Sequence, residues 1–234
     1  MNNKFDTVFK DLENINKQSI VEAYVPSVGA FKKYKPISVL QQKKVISTIN
    51  NSALDSVALI NVLNSIIAEN ACEPCDANVL DREFILMYLR ADEETQNDAK
   101  SFEKIMQGKD VSSIIHNAFN YQDAIKVEMH MPSLQRDSAF NAWFIENNKN
   151  KKATAAEIAA NYFVLEVVKY IKSIQVNDEC VDFDNAQDIA DLIKIAEQLP
   201  AVINNAVAKF IADGKQLVES VFASRNRSTQ TPLF

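Results

Sequence analysis

Glycine is almost missing from this chain: Gly29, Gly108 and Gly214 are the only three among 234 residues. Loops that cradle phosphate use glycine to let the backbone approach the ligand. Neither GxGxxG nor GxxxxGK followed by Ser or Thr occurs. The same scarcity disfavours a turn-rich all-β fold and favours helices. Cysteine is sparse and odd in number, with only Cys72, Cys75 and Cys180, so no disulfide framework is expected. No apolar run approaches the length of a membrane span. The opening Met1-Asn2-Asn3-Lys4-Phe5-Asp6 lacks the apolar core of a signal peptide. A soluble protein of a reducing cytoplasm, without a membrane partner, is the expectation. The net charge of −6 argues against broad, salt-driven binding to nucleic acid.

What is present is apolar periodicity. The chain is 47% hydrophobic and long enough for one large core or two modest ones. Phe5, Val8, Phe9, Leu12 and Ile15 recur at helical spacing and predict a helix over 4–17. Two β-prone runs between Ile20 and Ile37 flank Gly29 and predict a hairpin. Pro26 and Pro36 keep its strands short or at an edge. Ser38 with Gln41, and Thr154 with Glu157, form capping boxes that open helices to about Asn50 and Ile174. Further helices are predicted over 52–67, 79–91, 111–119, 133–146, 186–199 and 200–223. Alternation over 125–131 reads as the cleanest strand, stopped by Pro132. The fold class is therefore α+β, predominantly α-helical, with a small N-terminal hairpin, one further strand and a helical C-terminal half. The polar, basic stretch 147–152 suggests a boundary between an α+β region (1–147) and a helical region (153–224). A flexible tail (225–234) should follow.

Few groupings could carry chemistry. Cys72-Glu73-Pro74-Cys75 matches a CxPC redox pattern superficially, but no strand precedes it and no helix is expected to start at its first thiol. As a zinc half-site it would need ligands from Cys180, His116 or His130, all at unfamiliar spacings. His130 falls on the polar face of a strand and His116 on a short helix, neither beside a recognisable nucleophile. Asp178, Glu179, Asp182, Asp184 and Asp188 lack the glycine and terminal glutamate of a calcium loop and read as capping and solvated carboxylates. No catalytic residue, metal or cofactor is assigned. Phe84 to Leu89 is a run of six apolar residues between Asp81-Arg82-Glu83 and Arg90. It predicts a buried helix, with Asp81, Arg82 and Arg90 as its fixed polar ends, held by dipole or ion-pair contacts.

Three stretches together resemble the baseplate hub and hub-assembly family of T-even-like contractile-tailed bacteriophages. One is Val25-Pro26-Ser27-Val28-Gly29 with Tyr34-Lys35-Pro36-Ile37. Another is Asp81-Arg82 with Ile85-Leu86 and Leu89-Arg90. The last is the strand Val127 to Met131 ending in Pro132-Ser133-Leu134. The resemblance covers roughly 21–140 and implies a non-enzymatic hub component or assembly factor. It would sit in the virion tail baseplate, or in host cytoplasm during assembly. Its implied partners are other hub or tape-measure proteins, with self-association left open. Pro26, Ser27, Gly29, Pro36, Asp81, Arg82 and Arg90 are its candidate structural or interaction residues. The hairpin 21–37 or the tail is the expected docking element. The alternative is a protein whose function depends on Cys72 and Cys75, through bound metal or thiol chemistry.

Overall fold

A computed structural model of the chain describes residues 3–49, 53–74, 76–90, 100, 103–107, 111–149, 151–184 and 188–223. The acidic stretch 92–98, Gly108, Cys75 and the tail 225–234 lie outside them.

The chain is α+β, with a two-stranded hairpin, a four-stranded sheet and a helical C-terminal half. Helix α1 (Asn3–Gln18) leads into strands β1 (Val21–Val25) and β2 (Ala30–Tyr34), paired antiparallel. The turn between them places Gly29 at φ 65°, the left-handed region that L side chains enter at a cost. No atom would touch a Cβ added there. Gly29→Ala should therefore lose about 1 kcal/mol through backbone strain alone, read as a drop in urea midpoint at unchanged slope. Ser38 and Gln41 close the predicted capping box on α2 (Val39–Thr48). Helix α3 (Ala53–Asn70) follows. The hairpin pairs with the chain beyond it, since Tyr34 bridges to Ala71 and the Cys72 N–H donates to Lys33 O at 2.9 Å. The loop after α3 is thus anchored, with Ala77 and Asn78 buried.

The apolar run forms α4 (Arg82–Leu89), every residue from Phe84 to Leu89 being buried. Its helix is shorter than the predicted 79–91, because residues 79–81 make a turn. The expected helix over 111–119 is largely wrong. Only α5 (Ser112–Ile115) is helical, and His116–Tyr121 is strand β3, paired with β4 (Ile125–His130). Gln122 and Asp123 both sit at positive φ, 52° and 53°, in the three-residue link of this hairpin, and the Ala124 N–H donates back to Tyr121 O at 3.1 Å. Helix α6 (Leu134–Asn148) and helix α7 (Ala155–Tyr170) come next, with α7 capped by Thr154 and Glu157. The predicted extension of α7 to Ile174 is also overturned. Ile171–Val176 is strand β5, and Cys180 lies in strand β6 (Glu179–Asp182) rather than a loop. The single further strand expected is in fact a sheet of order β3-β4-β5-β6, antiparallel throughout. Tertiary pairing overrides helix propensity here. Ile171 and Ile174 fill the sheet's inner face beside Val127 and Met129, all buried. Helices α8 (Ile189–Gln198) and α9 (Ala201–Ala223) complete the chain.

Two apolar cores result. One joins the hairpin, α3 and α4; the other lies between the sheet's inner face and α6 to α9. Three helices belong to both: α3 through Ile66 and Val57, α6 through Leu134 and Phe144, α9 through Leu217 and Phe210. Asn147 and Asn148 of the polar stretch end α6, and β4 pairs with β5 across the link from α6 to α7.

Candidate functional site

The three stretches that carry the family resemblance meet in space. Asp81 is fully buried and its carboxylate accepts three hydrogen bonds. The Ser27 N–H donates to Oδ1 at 2.8 Å, the Ser27 hydroxyl to Oδ2 at 2.5 Å, and the Asn78 N–H to Oδ2 at 2.8 Å. The hairpin turn, with Pro26 buried at its start, is thereby fastened to the beginning of α4. Next to this knot the Val79 N–H donates to Pro132 O at 3.0 Å and the Leu134 N–H to Ala77 O at 3.0 Å. Pro36 is half-buried, and the Ile37 N–H after it donates to Leu89 O at 2.8 Å. Arg90 is the half-buried C-cap residue of α4.

Asp81 holds the N-cap position of α4, but no cation pairs with it among the described residues. It makes no side-chain cap bond on its own helix, and its oxygens serve a turn 54 residues earlier in the chain. Burial pushes its carboxyl above the usual carboxylate range, against the pull of the three donors. The protonated form is compatible with the geometry, since Oδ2–H can donate to the Ser27 oxygen while both N–H bonds remain.

Arg82 does make the expected ion pair, with a partner that sequence reasoning misses. Its Nη1 lies 2.9 Å from Asp137 Oδ2 and 3.1 Å from Asn64 Oδ1. Asp137 Oδ1 takes the Lys169 ammonium at 2.7 Å. Lys169 also donates to Asn141 Oδ1 at 3.1 Å, pairs with Glu166, and lies over the Tyr162 ring. The Asn64 amide donates to Asp137 at 2.9 Å and to the Ser138 hydroxyl at 3.0 Å. Lys169, Asp137, Asn64 and Asn141 are all buried. Burial alone would raise the Asp137 carboxyl, but Lys169 and Arg82 outweigh it and hold it below the usual range. A signal for this network exists in the sequence. Asp137, Asn141 and Asn148 share the 3–4 spacing of Leu134 and Phe144, so polar residues occupy core positions of α6.

A cleft of about 830 Å³ is lined by both histidines together with Ser27, Ser133, Arg136 and Asp184. His116 and His130 are cross-strand partners, not helix and strand as expected. His130 Nε2 lies 3.4 Å from Asp184 Oδ1. Burial first, then Arg136 and His116, drive its imidazole down to about 4 against the pull of Asp184, so it is neutral near pH 7. Arg136 spends its guanidinium on the carbonyls of Lys169, Ile171 and Phe183 at 3.0, 3.2 and 2.9 Å, and on Asp184 at 2.9 Å. It closes the C-terminal end of α7. The Ser133 hydroxyl caps α6 by accepting from the Arg136 N–H, and Ser27 is held by Asp81. Ser27, Ser133 and Arg136 are thus engaged in holding the fold, whereas His130 Nε2 is buried without a hydrogen-bond partner among the described residues.

Asp188 caps α8 through the Ala190 N–H, and Asp182 accepts from the Asp184 N–H, as expected of capping carboxylates. Cys72 and Cys180 are free and exposed. Cys72 follows the C-terminal end of α3. Among the described residues no three His, Cys, Asp or Glu side chains are grouped to hold a metal ion. Nor is any described helix long and apolar enough to cross a membrane.

The hairpin buries one side and exposes the other, with Val28 and Phe31 open to solvent. Val21, Ala23, Val25 and Tyr34 are core residues. Further exposed apolar surface lies on α1, at Val8, Phe9, Leu12 and Ile15, and on α2, where Val39 and Leu40 are 80% and 77% exposed. Ile46 and Ile49 extend the α2 patch, which carries Lys43 and Lys44 and no acid. No family model, curated protein or solved structure matches the chain.

Proposed function

We propose that this chain is a structural or assembly protein of a contractile phage tail, acting at the baseplate hub through protein contacts and without catalysis. The observation that carries the reading is the convergence of the three hub-like stretches on one buried knot. Ser27, Asp81 and the Pro132-Ser133-Leu134 corner are distant in sequence and bonded, directly or through Asn78 and Val79, in space. A shared motif set that also forms one structural unit is what a common fold requires. The exposed apolar and basic face of α2 supplies a surface for a hub or tape-measure partner with apolar and acidic groups.

The test is pull-down of the tagged full chain from cells producing the phage, with mass spectrometry of purified virions beside the infected lysate. Tail proteins should be captured by the wild type and lost with Leu40→Asp and Ile46→Asp together. Recovery of the chain in virions would make it a component, and recovery in lysate complexes alone an assembly factor. Absence from every tail complex would overturn the reading. Cys72→Ser with Cys75→Ser should leave folding and capture unchanged; loss of capture together with bound zinc would favour the thiol or metal alternative.

A further inference from the structure

We propose that α1 is the contact of a two-fold, antiparallel homodimer. The inference is independent of the hub reading. Val8, Phe9, Leu12 and Ile15 are 54, 65, 50 and 58% exposed, and none belongs to either core. A helix of 16 residues without alanine is marginal in water on its own. An apolar stripe on such a helix needs a cover.

The pattern of α1 selects the cover. Positions 5, 8, 12 and 15 follow the 3-4-3 spacing of a coiled-coil seam. That series reads the same in both directions about residue 10. Two antiparallel copies therefore bring Val8 opposite the partner's Leu12, and Leu12 opposite the partner's Val8. Such self-matching is what an isologous two-fold contact requires. Charge points to the same occupant. Positions 5, 8, 9, 12 and 15 span an arc of about 120° with no charged residue, while Asp6 and Lys10 fall on the other side. A face without charge neither attracts a charged partner nor repels its own copy. The α2 face differs: Lys43 interrupts its apolar residues and would confront itself in a two-fold pair. Near the axis of the α1 pair one like-charge approach remains, Asp11 beside the partner's Asp11, which weakens the dimer.

A seam of two or three turns buries less than the roughly 1,200 Å² of a stable standard interface. The dimer should therefore form and dissociate with concentration, roughly in the micromolar range. Sedimentation velocity of the full chain from about 1 to 200 μM, a range bracketing that affinity, should show it. Val8→Glu and Leu12→Lys should each shift the protein to monomer with unchanged melting temperature, since neither position touches a core. An equimolar mixture of the two variants should recover a dimer. Only in the antiparallel register does the carboxylate introduced at position 8 of one copy face the ammonium introduced at position 12 of the other. Asp11→Asn should tighten the wild-type association several-fold. A wild type monomeric throughout the range, a Val8→Glu protein that still dimerises, or a mixture that stays monomeric would each overturn the proposal.

Discussion

Asp137→Ala should be among the most damaging single substitutions in the chain, with a loss of about 3–5 kcal/mol in urea unfolding. The reason is what it leaves behind. The Lys169 ammonium sits 2.7 Å from Asp137 and is 1% exposed. Without the carboxylate it retains Glu166 and the Asn141 oxygen, while Arg82 keeps only Glu83 and Asn64. Removing one partner leaves the buried network with an excess of one sign; removing both takes out one charge of each sign, although Arg82 and Glu166 each lose a contact. The loss in Asp137→Leu combined with Lys169→Met should therefore fall well below the sum of the two single losses, as a double-mutant cycle would show. Additive losses would mean that the two side chains do not act as a pair. The pH dependence has a fixed sign. The folded-state carboxyl is held below its unfolded value, so its contribution is present above the ordinary carboxylate range and disappears as pH falls through the folded value. The stability gap between wild type and Asp137→Ala should narrow on acidification.

Asp81→Ala should cost about 2–4 kcal/mol, because the Ser27 and Asn78 N–H groups both lose their acceptor. Ser27→Ala, which removes only the hydroxyl bond, should cost about 1 kcal/mol. Here the pH sign is reversed. The folded-state carboxyl of Asp81 lies above its unfolded value, so its contribution is full below the unfolded value and declines as pH rises through the folded one. The gap between wild type and Asp81→Ala should widen on acidification, opposite to Asp137. Stability curves of both variants between pH 3.5 and 7, about the ordinary carboxylate range, would separate two buried aspartates whose environments differ chiefly in whether a cation is present. Parallel slopes would refute the assignment.

Local chemistry makes much of the helical framework readable. Ser38 with Gln41 and Thr154 with Glu157 form the boxes their spacing predicts, and the alternation at Ile125–His130 forms β4. Of the three unexpected strands, β3 and β5 are hidden for separate reasons. The turn before β4 uses Gln122 and Asp123 at positive φ, where glycine or asparagine would have marked a hairpin. Strand β5 continues the apolar run of α7 without a break, so Ile171 and Ile174 look like one more helical turn. Only pairing with Ile125–Met129, distant in sequence, makes them a strand. The buried network escapes a sequence reading because Asp137, Asn141 and Lys169 are individually the residues of a wet surface. Their position in the apolar register of α6 and α7 is the available sign, and their mutual pairing is a tertiary fact. Asp81 and Arg82 stand out in the sequence, but their partners, Ser27 and Asp137, do not emerge from it as partners.

The pairing of β4 with β5 also sets a timetable for synthesis. Val127 is opposite Ile174, so about fifty residues must follow the first strand before its neighbour exists. At ribosomal rates of roughly 5–20 residues per second that interval lasts on the order of 2–10 seconds. During it the β3–β4 hairpin carries an unsatisfied edge and an uncovered row, Val127 and Met129, while α6 emerges behind it. Nascent chains stalled before Ile171 should therefore be the ones that recruit holdase chaperones, and release of the stall past Val176 should end that recruitment.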